Sequence, residues 1–345
     1  MDLVTQAALG AVVAEAALGR RLGARAALLG AGLGLLPDAD ALLRPLLDDL
    51  GDLTWHRSLT HSALFCLAAP PLLGAALARW GPRGVSPANG EPEPVLARSW
   101  ALVVGVILLT HVLLDCCTTW GTQVGWPLTN APVAFCSVSV IDPLATLPLL
   151  VGLALALRWS RERPSRRWVS LCGAGWALGY LLALGGLKLH MERLWRAELT
   201  GRGVEAQRVF SKPTLGNGLL WRLVADDGES YWVGYRSLLD SAAGVEIVRR
   251  VPRRDELLPA RPTPRLERLL QVCGGWVALD RPEPGSLVVQ DLRYGQWAAW
   301  TRDETPYVFA YRVTLEGPTR IEVLPRIKVS EELRRSYLRR IRGAR

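Results

Sequence analysis

At 345 residues, 50% of them apolar and 21% charged, the chain is too long for one ordinary domain and comfortable for two. Its net charge of +9 raises nucleic acid as a partner. The arginines, however, gather in short loops between apolar segments and at the C-terminal end, and no nucleic-acid reader motif is present, so no nucleic-acid function is expected. The six cysteines show no CxxC spacing, which argues against a structural zinc ribbon.

The apolar residues are unevenly spread. Up to about Leu187 the sequence is rich in Leu, Ala, Gly and Val, with charges confined to islands; from His190 onward it is charged and strand-like. That shift predicts a helical membrane domain over 1–189, with about five to six apolar helices, followed by a soluble, strand-rich α+β domain over 190–345. The N-terminus lacks a basic n-region and Glu15 interrupts the first apolar stretch, so no cleavable signal peptide is expected.

In chain order, Val4–Leu18 is a small-residue helix containing Gln6 and Glu15, the latter expected to pair inside the bundle. A basic island follows at 20–25. Ala26–Leu36 is too short to span alone and ends at Pro37, as a half-helix packed within the bundle would. Residues 38–61 are polar. Ala63–Leu77 is the next apolar helix, and Gly81–Pro94 is a Gly/Pro/Glu loop. Trp100–Leu114 ends in His111 and Asp115, and 116–142 is a long polar and aromatic loop. Leu144–Leu157 and Trp168–Leu187 are the last apolar helices. Beyond them, strand patterning falls at 208–210, 219–224, 231–235 and 245–251, with a turn at Asp226-Asp227-Gly228. Leu266–Val272 reads as a helix, further strands are expected at 276–279, 286–292, 307–314 and 321–324, and 330–342 is a basic amphipathic helix capped by Ser330.

Basic residues stay on the cytoplasmic side of a membrane. The 20–25 island and the 79–98 loop carry three arginines each and 158–167 carries five, whereas 38–61 and 116–142 hold only Arg44 and Arg57. The two arginine-poor loops are therefore expected to face outward, and the C-terminal domain with them provided that Ala26–Leu36 counts as a crossing. In the outer loop, Cys116, Cys117 and Cys136 are either buried thiols or a source of a disulfide.

Those two loops also hold the chemistry. Three of the four histidines lie between Pro37 and Asp142, each near carboxylates, and imidazole with carboxylate is the ligand set of zinc, manganese or iron. His111 and Asp115, four apart on a helix, project from one face. His56 and His61 flank a loop-to-helix turn with Arg57 beside them to meet an anionic substrate. Asp38 and Asp40 fit a ligand and a general base, or a helix cap. Asp142, before Pro143, is an N-cap and a candidate ligand.

At Pro37-Asp38-Ala39-Asp40, Trp55 through Ser62, His111-Val112-Leu113-Leu114-Asp115, Thr118 through Gln123 and Val140 through Leu144, the sequence resembles the inner-membrane metal-dependent hydrolases of the YdjM/YbcI type. The likeness covers about residues 1–190. In the tail, Lys212-Pro213-Thr214, Asn217, Trp221-Arg222 and 231–235 resemble the longer members. The resemblance implies a membrane-embedded, zinc-dependent hydrolase, distantly similar to zinc phospholipase C and P1-type nucleases and hence directed at phosphoester bonds. On this reading Asp38, Asp40, His56, His61, His111, Asp115 and Asp142 bind a divalent metal, Zn2+ with Mn2+ or Fe2+ as alternatives, and Asp38, Asp40, His61 and Arg57 act in catalysis on a lipid-like substrate in the bilayer. The alternatives are a non-enzymatic metal-binding protein, for transport or structure, and a membrane anchor for the C-terminal module.

Overall fold

The computed structural model describes residues 1–86, 91–298, 300–301, 305–325 and 329–344. Residues 87–90 of the expected 81–94 loop lie outside that set. The chain divides into two compact units, one of residues 1–43 and 55–184, the other of 44–54 and 185–345.

The first unit is helical: α1 (Leu3–Leu22), α2 (Ala24–Leu35), α4 (Ala63–Trp80), α5 (Ala97–Cys116), α6 (Pro143–Arg158) and the first part of α7 (Pro164–Thr200). Asp2 caps α1 through the Val4 and Thr5 amides, Ser62 caps α4 through Phe65, and Asp142 caps α6 through Leu144 ahead of Pro143. Helices α1, α4, α5 and α7 are long and apolar enough to cross a membrane. The pair of α2 and the 3₁₀ helix Pro37–Leu46, bent by 47°, brings the number to five when counted as one broken span rather than a re-entrant loop. The count is slightly below the expected five to six because α6, at 16 residues, reaches only about 24 Å at 1.5 Å per residue.

Small residues set how closely these helices pack. Gly10 on α1 meets Gly30 and Gly34 on α2, and a Cβ built on Gly34 would lie 2.5 Å from the Gln6 carbonyl oxygen. Farther along α1, Ala14, Leu18 and Leu22 pack with Ala26 of α2 and with Trp100, Val103 and Ile107 of α5. Glu15, in α1, pairs with Arg166 of α7 at 2.6 Å, both side chains buried. This is the bundle partner its position called for.

A two-stranded ribbon, β1 (Gly84–Val85) and β2 (Pro92–Glu93), belongs to the first unit, and the second unit is strand-rich. One antiparallel sheet has the order β3–β4–β5–β6, made of Arg208–Pro213, Leu220–Asp226, Ser230–Ser237 and Glu246–Pro252. Another has the order β10–β9–β8–β7, made of Ile321–Val323, Ala310–Thr314, Ser286–Asp291 and Val277–Asp280. Helices α8 (Pro264–Val272) and α9 (Glu331–Ile341) start at the caps Thr263 and Ser330. Leu220, Leu223, Leu287, Val289 and Val313 are fully buried, each worth roughly 1.5–3 kcal/mol.

The last apolar helix was expected to stop at Leu187, but α7 continues to Thr200. Lys188, Glu192 and Arg193 make the continuation look polar, yet Met191, Trp195 and Leu199 recur every four residues and are all buried. The division between units falls at 184/185, within α7 rather than at its end. Residues 44–54, which include most of α3 (Asp49–Trp55), group with the second unit. There Asp48 pairs with Arg265, and Asp49 accepts from the Val323 amide at 2.7 Å.

Candidate metal centre

Four side chains from three parts of the first unit converge: Asp38, His61, His111 and Asp115 each offer a ligand atom, all within 4.8 Å of one another. His111 and Asp115 come from one face of the last turns of α5. His61 ends the 3₁₀ turn Leu59–His61 just before α4, and Asp38 opens the 3₁₀ helix after the bend in α2.

The donor separations discriminate among the four. His61 Nε2 and His111 Nε2 are 3.2 Å apart, and Asp115 Oδ2 lies 3.4 Å from the first and 3.6 Å from the second. Tetrahedral zinc with bonds of about 2.0–2.2 Å requires ligand–ligand separations of about 3.3–3.6 Å. These three donors thus form one face of a tetrahedron. Asp38 Oδ1 stands farther off, 3.6 Å from His61 and 3.9 Å from His111. It is also the donor with solvent access: its side chain is 11% exposed, against 0–1% for the others. The donor set and its spacing fit a divalent ion of zinc's preferences.

An outer layer aims the ligands. His111 Nδ1 lies 2.8 Å from the Gly34 carbonyl, so Nδ1 carries the proton and the Nε2 lone pair points into the cluster. His61 Nδ1 faces Thr60 Oγ1 at 3.1 Å. Burial alone would lower the His61 imidazole's pKa; the facing carboxylates of Asp115 and Asp38 outweigh it and raise that pKa above its ordinary value. Asp115 Oδ1 accepts from Gln6 Nε2 at 3.0 Å and from the Met1 amine.

The remaining expected residues stand elsewhere. Asp40 is not one of the four donors: it accepts the Arg57 amide at 2.8 Å, faces His56 Nδ1 at 3.1 Å, and stands behind His61 with Oδ2 3.7 Å from that ring's Nδ1. His56 is therefore tied to Asp40, its ring centroid 6.2 Å from that of His61. Asp142 is buried as the α6 cap and accepts from Tyr180 at 3.0 Å. Arg57 is buried, its Nε 3.0 Å from Asp115 Oδ2 though not aligned for a hydrogen bond, and its Nη1 donates to Thr118 Oγ1 at 2.9 Å. Its φ of +61° is in the left-handed region that non-glycine residues seldom occupy. The turn it makes lets the Arg57 amide reach Asp40 while the Arg57 carbonyl accepts from Gln123 at 2.9 Å. The sequence reading missed Gln6, Gly34 and Thr118 as members of this layer; a lone amide in an apolar helix was the available signal for Gln6.

The profile of the YdjM inner membrane protein family matches residues 1–188, which include every residue of this centre. The chain belongs to that family. A 94-residue stretch is also 38% identical to the inner membrane protein YbcI of Escherichia coli (strain K12), covering 27% of this chain and 47% of that protein. The chain thus spans about half the length of the curated relative it matches. No solved structure matches. As a YdjM-family protein with four to five apolar helices, it resides in a membrane.

Proposed function

We propose that this YdjM-family protein is a membrane-embedded, metal-dependent hydrolase acting on phosphoester bonds of lipid-like substrates at the extracytoplasmic face. The observation that carries the reading is the four-donor cluster of Asp38, His61, His111 and Asp115. His61, His111 and Asp115 would hold the ion, zinc by preference, with manganese or iron(II) as alternatives. A divalent ion in such a site supplies Lewis acidity and brings the ionisation of water to near pH 7.

Asp38 occupies the solvent-side corner, where a carboxylate can take the proton from an entering water. Its Oδ2 is buried without a hydrogen-bond partner among the described residues, which leaves an acceptor open for that task. Asp40 and His56 form a carboxylate–imidazole pair behind it. Arg57, expected to grip the substrate's anionic group, acts in this reading as counter-ion to Asp115. Support for a lipid substrate comes from the loops around the centre, where Leu42, Leu128 and Phe135 are exposed. The extracytoplasmic placement rests on the arginine bias of the loops.

One observation favours a second reading. Four protein donors form a closed set, as in structural zinc sites, whereas catalytic sites keep a position open. Metal analysis of detergent-purified protein separates the cases. Stoichiometric zinc, manganese or iron in the parent and none in a His111→Ala/Asp115→Ala variant establishes the centre; a metal-free parent refutes it. An Asp38→Ala variant that keeps its metal but loses phosphodiester or phosphomonoester hydrolysis supports the hydrolase. One that loses its metal supports the structural reading.

A further inference from the structure

Gln6 is an amide buried in a helix that crosses a membrane, where a polar side chain is expensive to keep. Its Nε2 donates to Asp115 Oδ1 at 3.0 Å and to the His111 carbonyl at 3.3 Å, so a single side chain of α1 meets both ligand-bearing residues of α5. Its Oε1 is buried and has no hydrogen-bond partner among the described residues. A flipped amide would put that oxygen against the Asp115 carboxylate. The orientation observed is the one that serves Asp115, at the expense of the amide's own oxygen.

The backbone at Gln6 matters too. Its carbonyl is the close neighbour of Gly34, and the Gly34 carbonyl in turn meets His111 Nδ1 at 2.8 Å. The α1–α2 crossing at this level therefore touches Asp115 through a side chain and His111 through a carbonyl. A carboxylate turns easily about its last torsion. With Oδ1 anchored, Oδ2 is the atom left facing the two imidazoles.

We propose that Gln6 is a positioning residue of the metal centre, setting the Asp115 carboxylate so that Oδ2 faces His61 and His111. The inference rests on the metal reading above, and it predicts that affinity for zinc depends on an amide at position 6. The test uses full-length protein in detergent, with Zn2+ alone titrated in competition with a chelator, and Co2+ substitution to record the visible absorption of a tetrahedral site. Gln6→Leu removes the donor, and Gln6→Asn keeps an amide too short to reach Asp115. Each should raise the zinc dissociation constant 10- to 100-fold and weaken or shift the cobalt bands. If Gln6→Leu fails to fold, Gln6→Asn decides. A variant whose melting temperature falls while its zinc affinity and cobalt spectrum match the parent's gives Gln6 a packing role and overturns the inference alone. A parent that binds no zinc overturns the metal reading, and the inference with it.

Discussion

The Glu15–Arg166 pair offers a test of the membrane unit that is independent of any metal. Glu15 Oε1 accepts from Arg166 Nε at 2.6 Å, and the two side chains are 1% and 7% exposed. Arg166 Nη1 also donates to the Trp159 carbonyl at 3.1 Å, but Glu15 Oε2 and Arg166 Nη2 have no hydrogen-bond partner among the described residues. Glu15→Gln removes the anion and leaves a buried guanidinium uncompensated. Breaking a buried pair from one side costs about 3–5 kcal/mol, and the two unpartnered atoms place this pair near 3 kcal/mol. For a unit of this size that corresponds to a melting-temperature drop of about 6–12 °C, read by tryptophan fluorescence in detergent. The double replacement Glu15→Leu/Arg166→Leu removes both charges and should recover most of the loss, because no ion is left to desolvate. A drop below about 2 °C in Glu15→Gln, or a double variant less stable than both singles, would refute this account.

Other expectations follow from particular contacts. His61→Ala should abolish stoichiometric zinc binding, whereas His56→Ala, which removes no donor of the cluster, should keep zinc affinity within about tenfold; chelator competition distinguishes them. Gly34→Ala places a methyl group 2.5 Å from the Gln6 carbonyl oxygen, forcing α1 and α2 apart at a cost of about 1–3 kcal/mol, with zinc affinity falling alongside the melting temperature. Arg340→Met leaves the buried Asp240 without its two-nitrogen partner; with the Ser237 amide still donating to Asp240 the loss should be about 3 kcal/mol, seen as faster hydrogen exchange across α9. Burial would raise the Asp226 carboxyl, but hydrogen bonds from Arg208 and Gly228 and the nearby Arg253 hold it below its ordinary value. A depressed carboxylate contributes stability above its unfolded pKa and loses it as the pH falls through the folded one. The second unit should therefore melt progressively lower below about pH 4, and Asp226→Asn should flatten that dependence.

Much of this architecture was legible because it rests on local rules. The tail strands follow from period-two patterning, and the Asp226-Asp227-Gly228 turn joins β4 to β5 as expected. The His111/Asp115 pair follows from four-residue helical spacing. What spacing could not select was which member of each nearby pair reaches the cluster. Asp38 and Asp40 sit on a 3₁₀ helix, where two residues span about 240°, so Asp38 meets the Nε2 side of His61 within the cluster and Asp40 the Nδ1 side outside it. His56 and His61 are separated by the left-handed turn at Arg57, which no residue pattern announces. Asp142 satisfies a helix cap, and that local requirement accounts for its placement. The extent of α7 was hidden by charges that sit on one side of an amphipathic continuation.

Residues 44–54 lie in sequence between Asp40 and His56, yet they belong with a unit whose other residues begin at 185. The polypeptide therefore passes between units three times, and the tail is no appendage that one cut could remove. Truncation at 184 would strip Asp48 of Arg265 and Asp49 of the Val323 amide. During synthesis the same arrangement imposes an order. The 44–54 segment emerges early, but its partners at 265 and 323 are made more than two hundred residues later. Its final placement must wait for nearly the whole chain, although the residues on either side of it belong to the unit that is synthesised first.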